Sequence, residues 1–139
     1  MKIVAKTDVG MVRESNQDSY TTGELPNGVA WAVVCDGMGG AAGGNVASST
    51  AVKVIAEQIT SSFRPGMSAK SIKNMMVSAI NAANISVYDI SCSNSELYGM
   101  GTTVVCAIVM EHIAYIAHAG DSRAYIVSHG ALTQLTRDH

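Results

Sequence analysis

An apolar run that ends in a burst of glycine constrains this chain more than any other feature. Val29–Cys35 is seven apolar residues in a row, Asp36 follows, and the segment GMGGAAGG then places five glycines among positions 37–44. A continuous apolar run of that length reads as a strand buried on both faces. The glycine-rich octet is foreign to a strand or helix interior and reads as a loop. One carboxylate is thereby held at the end of a rigid strand, beside backbone that no side chain shields.

The rest of the chain arranges itself around that point. Residues 2–8 alternate loosely and read as a strand, and Asp18–Thr22 reads as a second, short one. Asn45 can cap a helix running to about Phe63, with Ala47, Ala51, Val54, Ile55 and Ile59 as its apolar face. Arg64-Pro65-Gly66 breaks it. A second helix, about Ser68–Ser91, carries Ile72, Met76, Ala79, Ile80, Ala83, Val87 and Ile90 at helical spacing, with Met75 and Met76 as adaptable core fillers. Beyond it, Thr102–Met110, Ile113–His118, Arg123–Val127 and Ala131–Thr136 read as four strands. Turns at Glu111-His112 and Ser128-His129-Gly130 join them. Strands and helices are segregated along the chain, which places it in the α+β class with helices on the face of an antiparallel sheet.

Charge and cysteine usage exclude several function classes. Nine Lys+Arg balance eleven Asp+Glu, and only 14% of the 139 residues are charged. No basic block is present to grip nucleic acid or an anionic membrane. The longest apolar runs, seven residues at Val29–Cys35 and Val104–Met110, fall far short of the roughly 20 that a membrane helix needs. Lys2 and Asp8 interrupt the N-terminal stretch where an export signal would be apolar. Cys35, Cys92 and Cys106 form no C-x-x-C motif and read as free thiols in a reducing, cytoplasmic setting.

Three aspartates carry the chemistry. Asp36 ends the buried strand, Asp121 lies in AGDSR after a strand, and Asp18 lies in RESNQD just before one. Carboxylates at strand ends are rigid yet face a cleft, which suits Mg²⁺ or Mn²⁺ with its preference for oxygen ligands. Gly37 can add a backbone carbonyl. Each residue also has a plainer reading: Asp36-Gly37 as a hairpin turn, Asp121-Ser122 as an Asx-type turn, Asp18 as a turn or strand-end residue. Arg13 can bind a phosphate through its planar guanidinium, or pair with Glu14 on the surface. The glycine-rich segment could cradle a phosphate at a helix N-terminus, but it matches neither the P-loop nor the dinucleotide fingerprint. None of His112, His118, His129 and His139 has metal-ligand spacing with a Cys or second His. Cys35, in an apolar run, reads as buried and inert.

Five motifs taken together have a wider resemblance. R13-E-S-N-Q-D18, V34-C-D-G-M-G-G40, G101-T-T-V, A119-G-D-S-R123 and L135-T-R-D-H139 resemble, in order and spacing, the metal-dependent serine/threonine protein phosphatases of the PP2C (PPM) type, and their bacterial branch most. The resemblance implies an αββα sandwich of antiparallel sheets flanked by helices, with two Mn²⁺ or Mg²⁺ ions, or three, in a cleft at one end. It casts Asp36 as the carboxylate bridging the two ions, Gly37 as a carbonyl ligand and Asp18 as the holder of metal-bound waters. Asp121 matches an acid used toward a third, weaker ion, and Arg13 the phosphate-binding arginine. The implied reaction is direct hydrolysis of phosphoserine or phosphothreonine by a metal-bridged water, without a phosphoenzyme. The implied partner is a phosphorylated protein, in opposition to a Ser/Thr kinase.

The chain departs from the family pattern at several points. Met38 stands where the eukaryotic branch has a histidine, Gln17 where it has glutamate, and Ala41 and Asn45 where bacterial members often have His and Glu. By this resemblance, residues 1–139 form the N-terminal portion of one phosphatase domain, short of two further aspartate ligands. The alternatives are self-association through apolar faces, a catalytically incomplete relative that binds phosphoproteins, and an unrelated α+β module gripping an anion with its glycine-rich segment.

Overall fold

A computed structural model describes residues 1–139, the side chain of Ala41 excepted. Its central element is strand β2 (Val29–Met38), which accepts antiparallel neighbours on both sides. On one side lies β1 (Asp18–Leu25), paired from Leu25↔Val29 to Asp18↔Asp36. On the other lies β4 (Val104–Val109), followed by β5 (Ala114–Ala119). The two-residue β3 (Gly101–Thr102) pairs with Gly37 and Met38 at the end of β2. A separate two-stranded ribbon, β6 (Tyr125–Ser128) with β7 (Ala131–Gln134), follows.

Two helices cover one face of the sheet. They are α1 (Gly40–Ser62) and α2 (Ala69–Ser93). The core lies between the layers, where Val33, Cys35, Cys106 and Ile108 of the sheet meet Ala47, Ala51, Ile55 and Ile59 of α1. Ile72, Met76 and Ala79 of α2 close it from above. The expected apolar faces of both helices are the buried ones, with Val54, Ile80 and Ile90 only partly covered. Ser68 caps α2 by accepting the Ser71 N–H at 3.1 Å. Gly66, at φ 83°, turns the chain between the helices. No helix among the described residues is long and apolar enough to cross a membrane.

The antiparallel α+β class agrees with the sequence. Of the sandwich that the resemblance implies, the described residues supply one sheet with its helix pair, plus the ribbon. Several local expectations need correction. Residues 2–8 form no strand, because alternation alone does not supply a pairing edge. They run instead as irregular chain, and Ile3–Thr7 lie over Tyr20 and Val34 on the sheet face opposite the helices. Asn45 is not a cap: α1 begins five residues earlier, after Gly39. The glycine octet is not a loop either. Gly37 is inside β2, and Gly43 and Gly44 are buried in the first turns of α1.

These glycines serve close approach. A Cβ on Gly37 would stand 2.0 Å from the Gly44 carbonyl oxygen, and one on Gly44 would stand 2.3 Å from Gln17 Oε1. Strand and helix backbones therefore touch directly at this point, which no larger residue permits. The single strand expected over Thr102–Met110 is broken at Thr103, which turns its hydrogen-bonding groups to the chain around Asp36. The other two turns are as expected. His129 and Gly130, at φ 51° and 77°, form a two-residue hairpin loop with both angles positive.

Candidate metal and phosphate site

The register of β1 on β2 sets Asp18 directly across from Asp36. Opposed residues of an antiparallel pair point to the same face with Cβ atoms about 5 Å apart. The two carboxyls are close enough to share a hydrogen bond, and Asp36 is held above the ordinary carboxylic range. Desolvation at the strand end is the main cause, followed by the hydrogen bond and repulsion from Asp18. Arg13 opposes the shift and Asp121 adds to it. Like charges facing each other across a ladder are unfavourable unless a cation lies between them.

Asp36 is fixed from both sides of its own backbone. Its carbonyl accepts the Thr103 N–H at 2.9 Å, and its N–H donates to Thr103 Oγ1 at 3.1 Å. The Thr103 hydroxyl also meets Ser122 Oγ at 2.5 Å. Thr103 is buried and so ties Asp36 to the loop that carries Asp121. Sequence reasoning assigned no role to either residue, although Thr103 lies in the G-T-T-V motif and Ser122 in A-G-D-S-R.

The adjoining Gly37 is buried, and its N–H donates to the Gln17 carbonyl at 3.0 Å. The same carbonyl accepts the Ser48 hydroxyl at 2.8 Å, and the Gln17 side chain donates to the Gly40 carbonyl at 2.8 Å. Gln17 thus locks the start of β1 to the start of α1. Met38 is exposed at the end of β2.

Arg13 lies on the exposed loop before β1. With Asp8, Asn16, Asp18 and Asp36 it lines a polar hollow of about 230 Å³. Among the described residues the ion pairs are Glu111–His112 and Arg123–Asp138, so Arg13 is not paired with Glu14. Asp121 follows β5 in a loop, and its charge is felt at Asp36 although it is not a wall of the hollow. The structure brings together Arg13, Asp18 and Asp36 around the hollow, with Gly37 next to Asp36 in the chain, and leaves Asp121 outside its lining. The turn reading of Asp36-Gly37 does not hold, since both residues lie inside β2, whereas Asp18 opens β1 and is a strand-end residue.

The loop of Asp121 is clamped by the last residues of the chain. Arg123 makes a bidentate pair with Asp138, at 2.9 Å through Nε and 2.6 Å through Nη2. His139 accepts the Gly120 N–H at 3.2 Å and stacks on His118 with centroids 4.7 Å apart. Cys35 and Cys106 are both buried, which for Cys35 is as expected, and burial pushes both thiols up to about 12.

The donor set fits a hard dication in kind. Two carboxylates crowd together without a compensating charge between them, beside the backbone of Gly37. No group of three or more His, Cys, Asp or Glu side chains forms a complete cage among the described residues.

An antiparallel sheet lies under a helix pair, with an aspartate pair facing across two strands and an arginine on the loop before β1. The protein phosphatase 2C family model matches residues 12–139, and the chain belongs to that family. The serine/threonine phosphatase stp of Listeria monocytogenes is 35% identical over 134 residues, which is 96% of this chain and 53% of that protein. The S. agalactiae serine/threonine phosphatase structure superposes with a TM-score of 0.86 at 32% identity, covering 96% of this chain and 54% of that one. The catalytic domain of PstP, solved with two manganese ions, gives 0.78 at 31% identity, with 96% and 54% covered. The chain spans about half the length of the curated relatives it matches.

Proposed function

We propose that the protein containing this chain is a metal-dependent serine/threonine phosphatase and that residues 1–139 contribute the N-terminal portion of its catalytic domain. The observation that carries this reading is the facing pair Asp18–Asp36, with Arg13 across the same hollow. Asp36 and Asp18 hold Mn²⁺ or Mg²⁺, with the Gly37 carbonyl as a neutral ligand and Asp121 directed to a third, weaker ion. Bound there, the ions supply Lewis-acid charge for a phosphoryl group and lower the pKa of water. Arg13 grips the phosphate oxygens of a phosphoserine or phosphothreonine and orients the phosphorus toward the carboxylate pair. Thr103 holds the Asp36 backbone in place through its two hydrogen bonds. The substrate is a phosphorylated protein whose modification a Ser/Thr kinase installs, and neither nucleic acid nor a membrane is a partner. The setting is cytoplasmic.

The test is Mn²⁺-dependent release of phosphate from a phosphothreonine peptide, with Asp36→Asn as the control. Release that the substitution abolishes supports the assignment, and equal release from both proteins refutes it. A second reading is favoured by the absence, among the described residues, of a group of three or more side chains that could hold a metal ion. On that reading this portion binds phosphoproteins without hydrolysing them, either alone or self-associated through its apolar sheet face. Peptide binding that depends on Arg13, without turnover, distinguishes it.

A further inference from the structure

The loop that carries Arg13 has little packing to hold it. Met11 and Val12 are almost wholly exposed, and residues 8–15 are all exposed. An arginine that must meet a phosphate at a fixed distance from two carboxylates needs another restraint. One side chain provides it. Asn16 Nδ2 donates to Thr7 Oγ1 at 2.6 Å, while Asn16 Oδ1 accepts the Asp18 N–H at 3.0 Å. The first bond closes the loop from Thr7 to Asn16, with Arg13 inside it. The second fixes that closure to the first residue of β1, whose carboxylate faces Asp36. Within the loop, Asp8 Oδ1 accepts the Gly10 N–H at 2.8 Å, and Gly10 takes φ 76° to make the bend.

We infer that Asn16 and Thr7 form a clasp that positions Arg13 relative to the Asp18–Asp36 pair, making both positioning residues for phosphate recognition. This rests on the functional reading given above. A single amide suits the task because it donates and accepts at once. Aspartate at 16 keeps the acceptor for the Asp18 N–H but loses the donor to Thr7. Thr7 is the cleaner place to test the clasp, since it lies outside the hollow that Arg13 lines.

The experiment compares wild type, Thr7→Val and Thr7→Ser. Amide hydrogen exchange is followed at the Gly10 and Asp18 N–H groups, the hydrogen-bonded amides of the loop and its anchor, with α2 as the internal control for folding. Valine removes the acceptor and is expected to speed exchange of the loop by about two- to tenfold, the worth of one hydrogen bond. Serine keeps the hydroxyl and is expected to restore the wild-type rate, with α2 unchanged in both. In Mn²⁺, Thr7→Val should weaken binding of inorganic phosphate and raise KM for a phosphopeptide by a similar factor, leaving kcat within about twofold. Loop exchange in Thr7→Val equal to wild type overturns the clasp. So does faster exchange with unaltered phosphate affinity in a wild type that binds phosphate. A wild type that neither binds phosphate nor turns over substrate defeats the functional reading instead, and loop exchange then decides the clasp alone.

Discussion

Thr103 and Asp36 exchange two hydrogen bonds, one to the backbone carbonyl of Asp36 and one from its backbone N–H. The Asp36 backbone is thereby held where the partner of β2 changes from β4 to β3, and the same threonine hydroxyl reaches Ser122. A carboxylate meant to share a cation must not follow the ion's fluctuations, and a buried hydroxyl with several partners is a stiff way to ensure that.

Replacing Thr103 with valine removes the hydroxyl and leaves the Asp36 N–H without that acceptor. The expected loss is about 1–3 kcal/mol of folding stability, the cost of an unsatisfied buried group. Urea denaturation measures it. Thr103→Ser should recover most of the loss, and a valine variant as stable as wild type would show that the bond carries no weight.

At Gly37 the expected failure is steric. A methyl group there meets the Gly44 carbonyl oxygen at 2.0 Å, and that oxygen belongs to helix backbone that cannot swing aside. Gly37→Ala should therefore cost about 3 kcal/mol, at the upper end of overpacking effects. Thermal unfolding would show a lowered Tm. Gly10→Ala has open space around its Cβ but a φ of 76°, so its cost should be only about 1 kcal/mol of backbone strain.

The raised Asp36 carboxyl gives a pH dependence whose sign can be worked out. In the folded chain it holds its proton above the ordinary value of 3.8. Between that value and the raised one, the folded state binds more protons than the unfolded state, so stability falls as pH rises through the window. Above the window the penalty is complete, and below it the penalty is absent. Metal-free protein should accordingly gain stability at neutral pH on Asp36→Asn, read by the denaturant midpoint. A loss of stability would mean that burial and Asp18 together do not penalise the Asp36 charge.

The α2 cap offers a simpler check on the helical layer. Ser68→Ala removes the acceptor of the Ser71 N–H and should cost about 1 kcal/mol. Circular dichroism during thermal unfolding would report it.

Much of this architecture was legible in the residues. Ile72 through Ile90 repeat at helical spacing because one face of α2 packs on α1 and β5, and Val29–Cys35 marks the central strand, although β2 is not buried on both faces, since Val34 is exposed. Asp18, Asp36 and Arg13 stood out through their motifs, and they line one hollow, where the sheet register sets Asp18 across from Asp36. The glycine segment misled because glycine marks loops and close backbone contacts alike, and only the distance between Gly37 and Gly44 separates the two. Residues 2–8 misled because a strand requires an edge to pair with. Thr103 and Asn16 escaped notice for a related reason. A threonine in a β-rich stretch and an asparagine before a strand are ordinary, and their roles depend on partners 67 and 9 residues away.

The central claim is that Asp18 and Asp36 jointly hold a divalent cation. Calorimetric titration of the metal-free protein with Mn²⁺ tests it most directly, with Asp36→Asn and Asp18→Asn in parallel. Saturable binding in wild type, weakened by about tenfold or more in each variant, is the required result. Mn²⁺ affinity unchanged by both substitutions would contradict the account.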